Sequence, residues 1–516
     1  MNKASIIIAV SMLGSRILGV LREMLLAKIA GVNEQKNALD LAFMIPDILN
    51  HLIGTGFLSI VFISLFTTYL LKQNETDGWR AFSNIFNVLG TVFFILAIPA
   101  FIFMRELILL LTFSSTPPSE NILQMATDYG RIILPAQLFF FAGSFLIAAQ
   151  QSRKQFFIPS LTGIIYNMSI VGFGFLFWKF GNGVLGFAWG VPIGAFAGFF
   201  VLQIYGAYKG GVKYFFEFRP TKPELIKTVK LLTPMILGAG SMFSLEFVIR
   251  SFGSEFGKTG ISTLNYAYRL MYTLVAVFGF SVGAAKYPDM VRSFKENKLD
   301  ELNKKLYEDL SKIFAILVPA ICAVCAVSLP AVRILFEHGA FSSQNSQIVN
   351  ALLLCYLPAS IGLCAQSYIV RAFYACEKMW LPTLINTITF AVSLFLYKPF
   401  AVSFGIYSVP IVSFTCSIVQ VAVLLAFWGN TKKLLSRDFF LALLALIILA
   451  PLGLFFANKC NEWLLNANLA YLLLYSGVVS LIFFVAGVQI QNIFNSHSSI
   501  SIIYLLKKRM RKRSVN

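Results

Sequence analysis

Apolar stretches of about 20 residues, the length that crosses a bilayer as a helix, recur along almost the whole chain. They lie near 5–30, 39–71, 82–112, 122–150, 157–179, 184–208, 224–250, 258–285, 307–329, 347–375, 380–402, 405–428, 439–457 and 467–490. Inside a bilayer every backbone N–H and C=O has to be bonded within the protein, so segments of this length are read as helices. Composition agrees, because 13% of the residues are charged against 58% hydrophobic, about half the charged share of an ordinary soluble domain. The fold class is therefore an all-α polytopic membrane protein with about 14 transmembrane helices. The eighth segment is the least apolar, which makes thirteen the alternative count. The first segment lacks a small-residue cleavage pattern and runs on as a spanning helix, so it is not read as a cleaved signal.

The basic residues supply an independent register. With the N-terminus in the cytoplasm, the connections on that side carry 28 of the 42 Lys and Arg, the opposite connections carry 10, and four (Arg16, Arg22, Arg269 and Arg371) fall inside apolar segments. That bias is what the positive-inside rule asks for, and it places both termini in the cytoplasm. The net charge of +19 is then mostly topology. The tail KKRMRKR is suited to anionic lipid headgroups, and no soluble domain is present to offer the charge to a nucleic acid. The seven cysteines and three histidines show no zinc spacing, and the cysteines read as packing residues. No phosphate-binding glycine loop and no nucleophile elbow occurs, so neither a cofactor nor an enzymatic activity is expected.

An internal repeat orders the helices. Leu134-Pro135-Ala136 returns as Leu357-Pro358-Ala359, and Pro159-Ser160-Leu161 as Pro382-Thr383-Leu384, both at an offset of 223. The copies are the fourth-to-fifth and tenth-to-eleventh helices, and six helices of separation preserve orientation. The expected organisation is two parallel six-helix lobes, residues 1–210 and 211–430, followed by helices 13–14 at 431–492 and a basic cytoplasmic tail at 493–516. Lobes so related enclose a cavity and rock about it to give alternating access. The second helix pairs with the eighth, which sets Arg269 in the lobe opposite Arg16 and Arg22.

An intramembrane arginine is costly and marks a water-filled path or a ligand. Guanidinium is always charged and pairs bidentately with phosphate oxygens, so three of them in apolar segments point to an anionic cargo. The competing account is that Arg16 or Arg22 pairs with Glu23 or with a backbone carbonyl simply to be buried. Arg16 and Arg22 are about 120° apart on a helical wheel, so they need not face one cavity squarely. For Arg371, near a helix end, snorkelling to the interface is the expectation.

The runs GSRILGVLRE, AFMIPDILNHLIGTGFLS, NYAYRLMY, RILFEHGAFS and VRAFYACEKMWLPTL together resemble the MurJ/MviN lipid II flippases of the multidrug/oligosaccharidyl-lipid/polysaccharide exporter superfamily. The resemblance covers residues 1 to about 430. It implies transport of an undecaprenyl-pyrophosphate-linked peptidoglycan precursor from the cytoplasmic to the periplasmic leaflet of a bacterial inner membrane, with cell-wall synthesis proteins as further partners. Matched by motif, Arg16, Arg22 and Arg269 correspond to the family's cavity arginines and Glu23 to the acid after the second. The last two helices correspond to a groove for the lipid tail.

Two positions depart from the family pattern. Asn37 stands in Lys36-Asn37-Ala38 where the family has an acid, and Asn50 in PDILNH where it has an arginine, so both are carried as secondary cavity residues. A related polyprenyl-linked glycan, or a non-transporting scaffold of the same family, are the alternatives those losses leave. A multidrug cation exporter would need acids in the cavity. Sodium coupling is not supported, because the aligned position for a sodium-binding acid is Ile249, followed by Arg250. Gly14, Gly19, Gly54 and Gly56 read as helix-packing residues, Pro46 and Pro234 as kinks, and Leu329–Phe341 as a solvated periplasmic connection carrying Glu337 and His338.

Overall fold

In the computed structural model the described residues are 3–52, 66, 69, 74–153, 155–240, 244–429, 451 and 469–493. All regular structure among them is helical. Seven helices there are long and apolar enough to cross a membrane, and eight if the bent pair Ser343–Tyr356 and Ala359–Ala375 counts as one. The chain is thus a multi-pass membrane protein. Helix lies in every stretch expected to span; of 439–457 only residue 451 is among the described residues, and Gly54, Gly56 and the tail beyond 493 lie outside them.

The repeat carries through to element boundaries. Glu120–Ile133 and Ser343–Tyr356 are both 14 residues, Ala136–Ser152 and Ala359–Ala375 are both 17, and each pair starts 223 apart. Phe157–Lys179 and Trp380–Phe404 begin at the same offset. The proline at the break has no N–H to donate four residues back and its ring crowds that carbonyl, so Pro135 and Pro358 interrupt the two helices at equivalent places. Pro46 acts differently from the expected mid-helix kink. The chain breaks before it, between Glu34–Ala42 and Met44–Leu52, and Pro46 sits in the first turn of the new helix, where a missing N–H is tolerated. Pro234 lies within Pro223–Gly240.

Contacts divide the chain into two compact units. One is Met1–Ser262 with His338–Ser342, and the other is Thr263–Glu337 with Ser343–Asn516. In the first unit, Gly183–Ala195 lies against Phe157–Lys179 through Gly186, Gly190 and Gly194. A Cβ at these positions would stand 2.4 Å from Phe173 O, 2.6 Å from Ile170 Cα and 2.9 Å from Tyr166 O, so only glycine permits the approach. Gly14 meets Ile164 across the same helix, whereas Gly19 faces open space and is not the packing residue expected. The segment His338–Ser342 belongs to this unit because Ala340 N–H donates to Lys28 O at 2.9 Å. Gly31 and Gly339 both take φ near +60° there, and a Cβ on either would strike the opposing backbone.

In the second unit, the 38-residue helix Leu299–Phe336 packs along Leu469–Ile493. That helix corrects the connection expected from Leu329. The chain stays helical to Phe336 because Leu329, Val332 and Phe336 are buried and Arg333 pairs with Glu337 at 3.1 Å, leaving only 337–342 as a turn. Val275–Phe280 is a π-helical turn inside the eighth span. Arg371 donates to Phe280 O at 2.8 Å and covers the Phe280 ring at 5.6 Å. It therefore serves a carbonyl of the widened turn and does not snorkel as expected.

Candidate functional site

In the first unit, Arg16 and Arg22 both lie on Lys3–Ala30. Arg16 is exposed. Arg22 is half-buried and bonds Glu23 through Nε at 3.2 Å and Nη2 at 3.0 Å, while its Nη1 reaches Asn167 Oδ1 at 3.5 Å. Asn167, on Phe157–Lys179, is in turn held by Ser15 Oγ at 3.2 Å and Gly163 O at 2.9 Å. The ion-pair account of Arg22 is therefore realised, with part of its fork still facing outward at 26% side-chain exposure. A guanidinium oriented by one carboxylate and one amide is preorganised for a further anion.

The two positions that depart from the family pattern take different places. Asn37 is buried, and its Oδ1 accepts from Ser262 N at 2.6 Å while its Nδ2 donates to Lys258 O. Both groups lie at the turn into Gly260–Leu274, so Asn37 fastens that turn. Asn50 is half-buried on Met44–Leu52.

Sequence reading missed two ionic features of this unit. Lys36 and Asp40, one helical turn apart, form a buried ion pair. Arg250, with its side chain 9% exposed, bonds Asp47 at 2.8 Å and stands 3.6 Å from Glu246. The signal was present: Glu246 and Arg250 are four apart in an otherwise apolar stretch, the spacing of a helical ion pair.

In the second unit, Arg269 is half-buried on Gly260–Leu274. Its Nε points to Asn265 Oδ1 at 3.4 Å, a long contact, with Asn265 itself buried. The rings of neighbouring Tyr268 and Tyr272 lie 5.3 Å apart, tilted by 37°. Among the described residues no group of three or more His, Cys, Asp and Glu side chains is placed to hold a metal ion.

The chain matches the sequence profile described as Lipid II flippase MurJ over residues 26–477. Among curated relatives, the probable lipid II flippase MurJ of Buchnera aphidicola subsp. Schizaphis graminum is 26% identical over 499 residues, covering 93% of this chain and 95% of the relative. The lipid II flippase MurJ of Thermosipho africanus is 26% identical over 473 residues, covering 92% and 94%. Among solved structures, a lipid II flippase MurJ in an inward closed conformation superposes with a TM-score of 0.74 at 23% identity, over 93% of this chain and 98% of that one. An inward-facing multidrug resistance MATE family transporter of the MOP superfamily gives 0.67 at 14%, over 84% and 100%. At those identities the superpositions speak for the fold.

Proposed function

Because the chain belongs to the lipid II flippase MurJ family, we propose that it carries lipid II, an undecaprenyl-pyrophosphate-linked glycan, from the cytoplasmic to the periplasmic leaflet of a bacterial inner membrane. The observation that carries this reading is the match over residues 26–477. The organisation that goes with it is fourteen spans in lobes 1–210 and 211–430, a lipid-tail groove from 431–492, and both termini cytoplasmic.

Arg16, Arg22 and Arg269 hold the pyrophosphate, with Glu23 orienting Arg22 and Asn50 in the surrounding wall, while Asn37, buried with its amide bonded to Ser262 and Lys258, acts from behind that wall. A pyrophosphate stripped of its hydration needs about two guanidinium partners in a low-dielectric cavity. Support comes from the half-buried, carboxylate-oriented fork of Arg22 and from the half-buried setting of Arg269.

The test is complementation of a strain depleted of its essential lipid II flippase. Rescue by this chain is the expected result, and growth arrest despite normal membrane abundance counts against the reading. Arg22→Ala and Arg269→Ala should each abolish rescue at unchanged abundance, and Arg→Lys should restore little, because an ammonium lacks the bidentate fork. Ala variants that instead fail to accumulate in the membrane would make these arginines structural ion-pair members.

A further inference from the structure

Lys209 ends the sixth span and Pro223 opens the next helix, and the chain between them is a strap without regular secondary structure. It is fastened to the first turns of Glu75–Ile102 by side chains of that helix. Ser83 Oγ accepts from Phe215 N at 2.9 Å, Asn84 bonds both the N–H and the C=O of Arg219, and Asn87 Nδ2 donates to Glu217 O at 2.8 Å. Arg153 adds a bond to Gly210 O at 2.8 Å, and Arg80 covers the Phe215 ring at 5.6 Å. A strap held this way on a helix is a built feature.

Exposure alternates along residues 215–218, with a tight turn at Phe216 where Glu217 N–H donates to Phe215 O at 2.9 Å. Phe215 and Glu217 are half-buried, while Phe216 and Phe218 are exposed, Phe216 at 88%; Tyr214 turns back to Glu75–Ile102, its hydroxyl donating to Asn87 Oδ1 at 2.7 Å. Around Phe216 and Phe218 stand Lys209, Lys213, Arg219, Lys227 and Lys230, all exposed. Of the nearby acids, Glu217 is paired with Lys222 at 2.6 Å and Glu224 accepts from Tyr69 at 3.0 Å. The outward face is thus aromatic and net positive.

Its depth follows from helix length. Glu75–Ile102 has 28 residues, roughly 42 Å at 1.5 Å each, against a hydrocarbon core of roughly 30 Å, which leaves about 12 Å, roughly the first eight residues, for the headgroup layer, so the strap bonded at Ser83, Asn84 and Asn87 meets the helix where that layer passes into the acyl chains. Aromatic side chains favour that layer, and clustered Lys and Arg favour anionic lipid there. We propose that residues 209–230 form an interfacial anchor that inserts Phe216 and Phe218 among acyl chains and binds anionic phospholipid headgroups through Lys209, Lys213 and Arg219. The anchor would make the activity depend on anionic lipid in that leaflet. This does not rest on the cargo assignment.

The experiment uses the full chain in vesicles of phosphatidylcholine with and without phosphatidylglycerol. With Phe216→Trp, the fluorescence gained over the native protein should be quenched by phosphatidylcholine brominated on its acyl chains and protected from aqueous iodide. Phosphatidylglycerol should strengthen both effects, and Lys209→Gln, Lys213→Gln and Arg219→Gln together should remove that strengthening several-fold at unchanged insertion. An added signal quenched by iodide and untouched by brominated lipid overturns the proposal, as does a response to phosphatidylglycerol that survives the triple substitution. Protection from both quenchers would mean the strap is covered by protein, and overturns it equally. A chain that failed complementation while passing these readouts would leave the anchor standing and the cargo assignment refuted.

Discussion

At the scale of single residues, the positions that sequence reading singled out were those where a charge interrupts an apolar run, and Arg16, Arg22 and Arg269 needed nothing more. Sequence reading supplied the adjacent partner of Arg22, Glu23, but not the partners distant in sequence. Asn167 is 145 residues from Arg22, and Asp47 is 203 from Arg250, distances no local pattern spans. The Arg250–Asp47 pair carries its own prediction. Breaking a buried pair strands the surviving charge, at roughly 3–5 kcal/mol when burial is complete; with Asp47 33% exposed, Arg250→Gln should cost less, on the order of 2–3 kcal/mol. Asp47→Asn in the same chain should return much of that loss, because two amides still bond while the stranded carboxylate is gone. A double-mutant cycle on thermal unfolding in detergent checks this, with an expected coupling of at least about 1 kcal/mol. Strict additivity of the two losses would show that the pair is not what holds Met44–Leu52 to Ser244–Phe252.

At the scale of elements, the spans were legible because 20-residue apolar runs have few competing explanations, and the repeat was legible because proline breaks leave a sequence mark. Packing between helices left a fainter one. The Gly186, Gly190, Gly194 series was present at four-residue spacing, and attention to Gly19 instead shows why glycine alone is ambiguous: a helical glycine can be a contact or an accident. The two cases separate by sign. Alanine is favoured over glycine in a helix interior by about 1 kcal/mol, so Gly19→Ala, with open space around it, should be neutral or raise the melting temperature. Gly190→Ala puts a methyl 2.6 Å from Ile170 Cα and should lower the melting temperature, through a destabilisation of roughly 1–3 kcal/mol on the usual overpacking range. Equal shifts for both variants would remove the close-approach argument. Buried amides tie the helices of each unit as well. Gln150 donates to Gln203 at 2.9 Å and Gln203 to Thr162 at 2.7 Å, while Gln366 and Gln420 both donate to Asn386. Such bonds leave no periodic trace, because a polar residue in a span reads the same whether it faces a partner helix or a cavity.

At the scale of the whole molecule, the charge of the cargo carries a prediction about what drives transport. An anionic cargo moving outward travels with an inside-negative potential, and each charge gains about 2.3 kcal/mol per 100 mV, so a pyrophosphate carrying two charges gains roughly twice that. The sodium alternative requires an acid that this chain does not place at Ile249, and the neighbouring Arg250 sits between Asp47 and Glu246, where its fixed positive charge already occupies the space between two carboxylates. A monovalent cation there would meet a guanidinium at close range. Net flipping in proteoliposomes should therefore rise with a potassium diffusion potential, negative on the side from which lipid II departs, and fall when that potential is collapsed. Replacing sodium by choline should leave it unchanged. A rate indifferent to potential and abolished by choline replacement would reverse the assignment of the driving force, and would direct attention from the arginines to carboxylates as the coupling groups.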